Sequence, residues 1–136
     1  MSAGPVPIPT PTTAEFWEGT KRGELRLQHC DICSEYVFYP RLACPSCGSR
    51  PLEWRTVSGR ATLVSYNINH RVGPEFEVSK PQVIALIELD EGPRMMTNLR
   101  RVSQVPEELP LGLRLRVEFE PRGKEMLPIF VPEVGP

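Results

Sequence analysis

Four cysteines constrain this chain more than any other feature. They fall as Cys30-x2-Cys33, ten intervening residues, then Cys44-x2-Cys47. Each C-x2-C pair suits a tight knuckle that turns backbone N–H groups towards the sulfurs. Two knuckles bring four soft thiolates to one point, a donor set suited to tetrahedral zinc with Zn–S near about 2.3 Å. Iron in an all-cysteine site of the rubredoxin kind uses the same ligands, and the ligand set alone does not separate the two. Four protein thiolates leave no open coordination position, so the ion is structural. Metal binding is worth on the order of 10–16 kcal/mol in peptide models. A ribbon of roughly 40 residues needs such a staple, because it buries too little apolar surface by itself. His29 adjoins Cys30 but is surplus to a complete ligand set; a place beside the metal site or on the surface is expected for it.

Metal rather than disulfide is also the reading that fits a reducing compartment. Residues Met1 to Thr13 are proline-rich and lack the charge and apolar run of a signal peptide. No stretch approaches the run of about 20 apolar residues that spans a bilayer. A cytoplasmic protein without membrane contact is therefore expected. Sixteen basic and 17 acidic side chains nearly cancel, which leaves no global field to gather nucleic acid or anionic lipid. Sixteen prolines across 136 residues argue against long helices and for short strands with tight turns.

Along the chain, residues 1–12 read as an extended arm. Thr12 to Glu15 has the spacing of a capping box, predicting a short helix to about Arg22 that Gly23 ends. Its large apolar residues are Phe16 and Trp17, and so short a helix must pack them against something. Glu24–Gln28, Tyr36–Tyr39 and Leu52–Val57 read as strands around the cysteine pairs. Residues 13–57 thus form a helix and a metal ribbon. From 58 to 136 the pattern is strands: Ala61–Ile68, Gln82–Leu89, Arg94–Leu99 across an Asp90–Pro93 turn, Leu111–Glu120, and Leu127–Val131 as a closing edge strand that tolerates Pro128. A brief helical turn is expected at Pro106–Leu109. Five strands with a long loop at Arg71–Lys80 fit a small closed barrel of the OB type. The expected fold is mainly β: helix, ribbon, five-stranded barrel.

Catalytic groups are sparse. All four cysteines are ligands, and only His29 and His70 are available as imidazoles. There is no glycine-rich phosphate loop, G-x-S-x-G elbow or H-E-x-x-H helix. Glu88, Asp90 and Glu91 read as a solvated turn. His70 and Arg71 open the long loop, where a histidine and a cation could meet a ligand; a solvated loop is the simpler reading.

The order of motifs carries more. A Phe16-Trp17 helix, Gly23-Glu24-Leu25, Gln28-His29-Cys30, two knuckles flanking Tyr39-Pro40-Arg41, Leu52-Glu53-Trp54, Ser58-Gly59 and a Ser65-Tyr66 strand follow one another. In that order the chain, from about Thr13 to Val131, resembles the family called domain of unknown function 35: N-terminal helix, rubredoxin-like zinc ribbon, C-terminal OB-fold. One departure is Ser34, where the family usually carries glycine after the first C-x2-C. The resemblance implies structural zinc and an acyl-CoA context. It implies a small subunit, not catalytic alone, assembling with a thiolase-fold or lipid-transfer-protein-like enzyme as a hetero-oligomer. Retro-aldol cleavage in steroid or branched side-chain degradation is favoured over acetyl transfer. Some members form the C-terminal part of a longer hydratase polypeptide.

On that reading Phe16, Trp17, Tyr36, Phe38 and Tyr39 are candidate partner contacts, as buried aromatics often dominate interfaces. His70 and Arg71 are the candidate acyl-CoA contacts, the acyl-CoA being a ligand shared with the partner. A competing reading is a single-stranded nucleic-acid-binding OB protein, with Arg100, Arg101, Arg114, Arg116 and Arg122 as its cations. The near-zero net charge and scarce barrel aromatics weigh against it.

Overall fold

The computed structural model describes residues 5–50, 52–70 and 82–133. Helix α1 (Ala14–Lys21) is followed by β1 (Arg26–Cys30), β2 (Glu35–Val37) and β3 (Glu53–Thr56), an antiparallel sheet in the order β2-β1-β3. Then β4 (Arg60–Asn69), β5 (Gln82–Leu89), β6 (Arg94–Leu99), β7 (Arg114–Arg122) and β8 (Glu125–Pro132) close a barrel in the order β4-β5-β6-β8-β7. A 3-10 turn at Pro106–Glu108 lies between β6 and β7.

The helix starts one residue later than expected. Thr13 is its cap and makes no side-chain capping bond. The Thr12–Glu15 box is therefore not formed. Thr10 and Thr13 bond each other instead: the Thr10 amide donates to Thr13 Oγ1 at 2.9 Å, and the Thr13 amide to the Thr10 carbonyl at 3.0 Å. Glu15 is drawn away by Arg26, whose Nε lies 3.0 Å from its carboxylate. The helix ends where expected, with the Gly23 amide donating back to Thr20 O. Phe16, Gly19 and Thr20 face inward.

One apolar core runs from α1 through the ribbon into the barrel. Phe16, Leu25, Leu27 and Val57 join Leu63, Ile87, Leu115 and Phe130. Leu25, just before β1, and Leu27 on it flank Arg26, so the extended alternation sends both into that core. The join between ribbon and barrel is tight. The Val57 amide bonds Leu25 O, and the Ser58 amide bonds the Glu91 carboxylate, each at 2.9 Å. Gly59 follows with φ +76°, and a Cβ there would collide with Val117 Cγ1. Only glycine meets both demands.

The imperfect alternation of β4 has a local cause. Its register against β5 shifts between Leu63 and Ser65, a bulge that flips the side-chain pattern. β8 corrects an expectation: it is not an edge strand. It pairs antiparallel with β7 from Leu115↔Pro132 to Arg122↔Glu125 and parallel with β6 at Leu99↔Phe130. Pro128 fits because of parity. The Val117 amide donates outward to Gly59 O, and Arg114 O accepts from the Glu133 amide. Even-numbered β7 residues therefore bond β8, and Pro128, opposite Phe119, owes β7 no N–H. Among the described residues, no helix is long and apolar enough to cross a membrane.

Candidate metal centre

Two turns of matching geometry position the thiols. The Ser34 amide donates to Cys30 O at 2.7 Å, and the Gly48 amide to Cys44 O at 2.8 Å. Both residues that close the knuckles have positive φ, 61° at Ser34 and 76° at Gly48. The left-handed conformation is free for glycine and costs a serine about 1–2 kcal/mol. At Ser34 this conformation lets the amide close the knuckle on the Cys30 carbonyl.

The four Sγ atoms lie within 4.8 Å of one another. Cys30–Cys47 and Cys33–Cys44 are each 3.6 Å apart. A tetrahedron with metal–sulfur bonds near 2.3 Å has edges of about 3.8 Å, so the cluster has the size of a zinc site. It is too open for disulfides, whose S–S length is about 2.05 Å. Cys30 and Cys44 are buried, Cys33 half-buried and Cys47 exposed. Burial pushes the Cys33 thiol up to about 12, with the Cys30 and Cys44 thiols adding to it. The Ser49 hydroxyl and amide pull Cys47 down to about 6. Backbone bonding, led by the Cys47 amide, lowers Cys44. Amides aimed at sulfur favour thiolates, yet four thiolates this close are stable together only around a cation.

The surroundings hold this cluster in place. Gln28, buried on β1, clamps the loop between the knuckles: its Oε1 accepts from the Arg41 amide at 2.6 Å and its Nε2 donates to Arg41 O at 2.7 Å. In the sequence Gln28 stands only as a member of the Gln28-His29-Cys30 motif, on the strand face opposite the leucines, and nothing there marks it as a clamp. His29 is not a ligand. Its Nδ1 lies 2.9 Å from Asp31 Oδ1, and its ring meets Tyr36 edge-on at 4.7 Å. That hydrogen bond, seconded by Glu53 and Arg55, holds the Asp31 carboxyl below its ordinary range.

A second feature lies where helix, ribbon and barrel meet. A groove of about 230 Å³ is walled by Phe16 and Trp17 of α1 and by Phe38 and Tyr39 beyond β2. Its barrel side is Met95–Asn98 of β6 with Leu127 and Pro128 of β8. Phe16 packs edge-on to Trp17 at 5.0 Å and against Phe38 at 5.8 Å; Phe38 stacks on Tyr39 at 4.5 Å. Phe16 is buried within its own chain, whereas Tyr39 is 62% and Met96 60% exposed. Four of the five aromatics proposed from sequence thus share one groove. Tyr36 does not; it turns to His29. The Met95-Met96 pair is the further signal of this groove in the sequence, two adjacent apolar residues that break the alternation of a strand. His70 lies exposed at the end of β4, far in sequence from the cysteines, and Arg71 lies outside the described residues.

Comparison with known proteins agrees with this architecture. Residues 17–53 match the ChsH2 rubredoxin-like zinc ribbon domain, and residues 54–120 the ChsH2 C-terminal OB-fold domain. Over 124 residues the chain is 36% identical to a probable enoyl-CoA hydratase alpha subunit of Thermomonospora curvata, covering 88% of this chain and 37% of that one. Over 109 residues it is 34% identical to the 3-oxo-4,17-pregnadiene-20-carboxyl-CoA hydratase alpha subunit of Mycobacterium tuberculosis, covering 79% of this chain and 33% of that one. The chain therefore spans about a third of the length of these relatives. A chain of the solved Ltp2-ChsH2(DUF35) aldolase superposes with a TM-score of 0.81 at 31% identity, over 94% of this chain and 99% of that one. With a four-thiolate cluster of zinc dimensions, a matching ribbon and a matching barrel, the chain belongs to the DUF35 family, with ChsH2-type zinc-ribbon and OB-fold domains.

Proposed function

We propose that this chain is a zinc-stapled accessory subunit, without catalytic groups of its own, that assembles with a thiolase-superfamily enzyme acting on acyl-CoA. The reaction is retro-aldol carbon–carbon cleavage in the degradation of steroid or branched side chains. One observation carries the reading: nearly the whole chain, helix, ribbon and barrel together, corresponds to nearly the whole of one chain of an aldolase complex. The local chemistry agrees. The thiolates form a closed set, leaving none as nucleophile. The carboxylates of the β5–β6 turn are engaged in structure: Asp90 with Arg114, and Glu91 with the Ser58 amide. Catalysis then resides in the partner, and this chain shapes and steadies it. His70, exposed just after β4, and Arg71, which lies outside the described residues, are the proposed contacts to the acyl-CoA.

The barrel arginines do not favour a nucleic-acid groove. Arg100 and Arg122 bond Glu120, Arg101 and Arg116 bond Glu118, and Arg114 bonds Asp90. Phosphates would have to displace a carboxylate at each.

The test is reconstitution. An Ltp2-type thiolase-superfamily subunit from the same genome is purified with and without this chain and given a steroid side-chain β-hydroxyacyl-CoA. The expected outcome is a stable complex and at least a tenfold loss of cleavage when the chain is omitted. Full turnover by the partner alone would reject the activating role; acetyl transfer without cleavage would replace the reaction.

A further inference from the structure

The thinnest seam of the closed barrel lies between β6 and β8. It is held by a single rung, Leu99↔Phe130, with the Arg100 amide donating to Phe130 O at 2.9 Å. On β6 the rungs alternate. The Pro93 carbonyl serves β5 and the Arg100 amide serves β8, so the N–H and C=O groups of Arg94 and Met96 also point away from β5. Among the described residues, no strand meets them there. β8 does not pair with them: Leu99↔Phe130 is its one rung to β6 among the described residues, and the next β6-facing position on β8, Pro128, has no N–H to give. The Thr97 hydroxyl spans part of the seam instead, 3.4 Å from Pro128 O.

An open edge of this kind is normally blunted by charge, proline or a covering element. Here one charge stands at its start, exposed Arg94 paired with Glu88 on β5 at 3.1 Å; beyond it the edge carries Met96, 60% exposed, and runs beside the apolar groove. The groove's lining residues carry no charge, so a phosphate-bearing ligand finds no counter-ion in it. At about 230 Å³ it is also smaller than the roughly 300–1,000 Å³ of small-molecule sites. Unpaired backbone beside an uncharged apolar recess is the chemistry that receives an extended peptide: main-chain rungs supply affinity and alternate side chains fill the recess.

We propose that the thiolase-superfamily subunit docks here by strand addition, an uncharged extended segment pairing with Arg94–Met96 and seating an apolar side chain against Trp17, Phe38 and Tyr39. This inference rests on the accessory-subunit reading and adds the mode of assembly to it.

Amide hydrogen exchange on the free chain and on the complex with the Ltp2-type subunit tests it. The Arg94 and Met96 amides are expected to exchange freely in the free chain and at least tenfold more slowly in the complex. Met95 and Thr97, paired with β5, stay protected in both. Met96→Pro removes the outward N–H while sparing the N–H groups that bond β5, and is expected to weaken assembly at least tenfold. Met96→Val alters the same side chain but retains that N–H, and is expected to weaken assembly less than Met96→Pro does. A complex that forms while the Arg94 and Met96 amides remain open overturns strand addition and leaves the accessory role standing. Equal affinity of the proline and native chains overturns it likewise; should the proline variant not fold, the exchange result on the native chain decides. Protection that appears on concentrating the chain alone assigns the edge to a second copy. Absence of any complex sinks the accessory reading itself, and this inference with it.

Discussion

Ser34 and Gly48 occupy equivalent closing positions in the two knuckles, and only one of them is the residue that the backbone favours. Ser34→Gly is expected to stabilise the ribbon by about 0.5–1 kcal/mol, the left-handed penalty less the extra freedom glycine gains when unfolded. Gly48→Ser should cost a similar amount. Chemical denaturation of both variants measures this, and an unchanged midpoint in both would mean that the knuckles relax. Gly59 is less forgiving. Gly59→Ala combines a left-handed alanine, costing about 1–3 kcal/mol, with a methyl driven into Val117. Overpacking adds about 1–3 kcal/mol, so the urea midpoint of this variant should fall well below that of the native chain. Ser34 stands out only against the glycine that the family usually carries there, and Gly59 not at all by type: a glycine before a strand means little until φ is known.

At the scale of elements, α1 and the ribbon depend on one another. Phe16 anchors the helix, and Phe16→Ala is expected to cost about 3–5 kcal/mol, as buried phenylalanine truncations do. The cysteine spacing made the ribbon legible in the sequence, and alternation made most of the strands so. The helix cap was not, because Arg26 competes for Glu15 and two threonines satisfy each other. Removing the metal tests how far the ribbon stands alone. With strong chelator, amides of β1, β2 and β3 should lose exchange protection. The barrel should melt earlier, because Leu25, Leu27 and Val57 then leave a core they share with Leu63 and Leu115. A barrel that melts unchanged would show that the two parts are energetically separate.

For the whole molecule, long-range polar links tie turns to strands across the barrel. Arg114 donates to both Asp90 oxygens at 2.8 and 2.9 Å, and these bonds hold the Asp90 carboxyl below its ordinary value of 3.8. Glu118 is lowered in the same way, chiefly by Arg101. A carboxyl depressed in the folded state binds fewer protons than in the unfolded one. Its contribution is complete above the ordinary value and is lost as pH falls through the lower folded value. Asp90→Asn should therefore flatten part of the acid limb of the stability–pH curve below about pH 4 and leave its slope near neutrality unchanged. Acid titration of both proteins by circular dichroism reads this directly; parallel acid limbs would dismiss the link.

The metal site, the strand content and the family were settled by local pattern. Ligand spacing, alternation of side chains and the order of motifs are properties of neighbours along the chain, and they survive without knowledge of what packs on what. Proximity across the chain was not local in that sense. That β8 lies between β6 and β7, that Pro128 leaves one seam half-paired, and that Trp17, Tyr39 and Met96 share a groove all follow from barrel closure. Closure depends on the register of strands about 30 residues apart. Register is a collective choice of the whole core, and it decided which backbone groups were left facing outward.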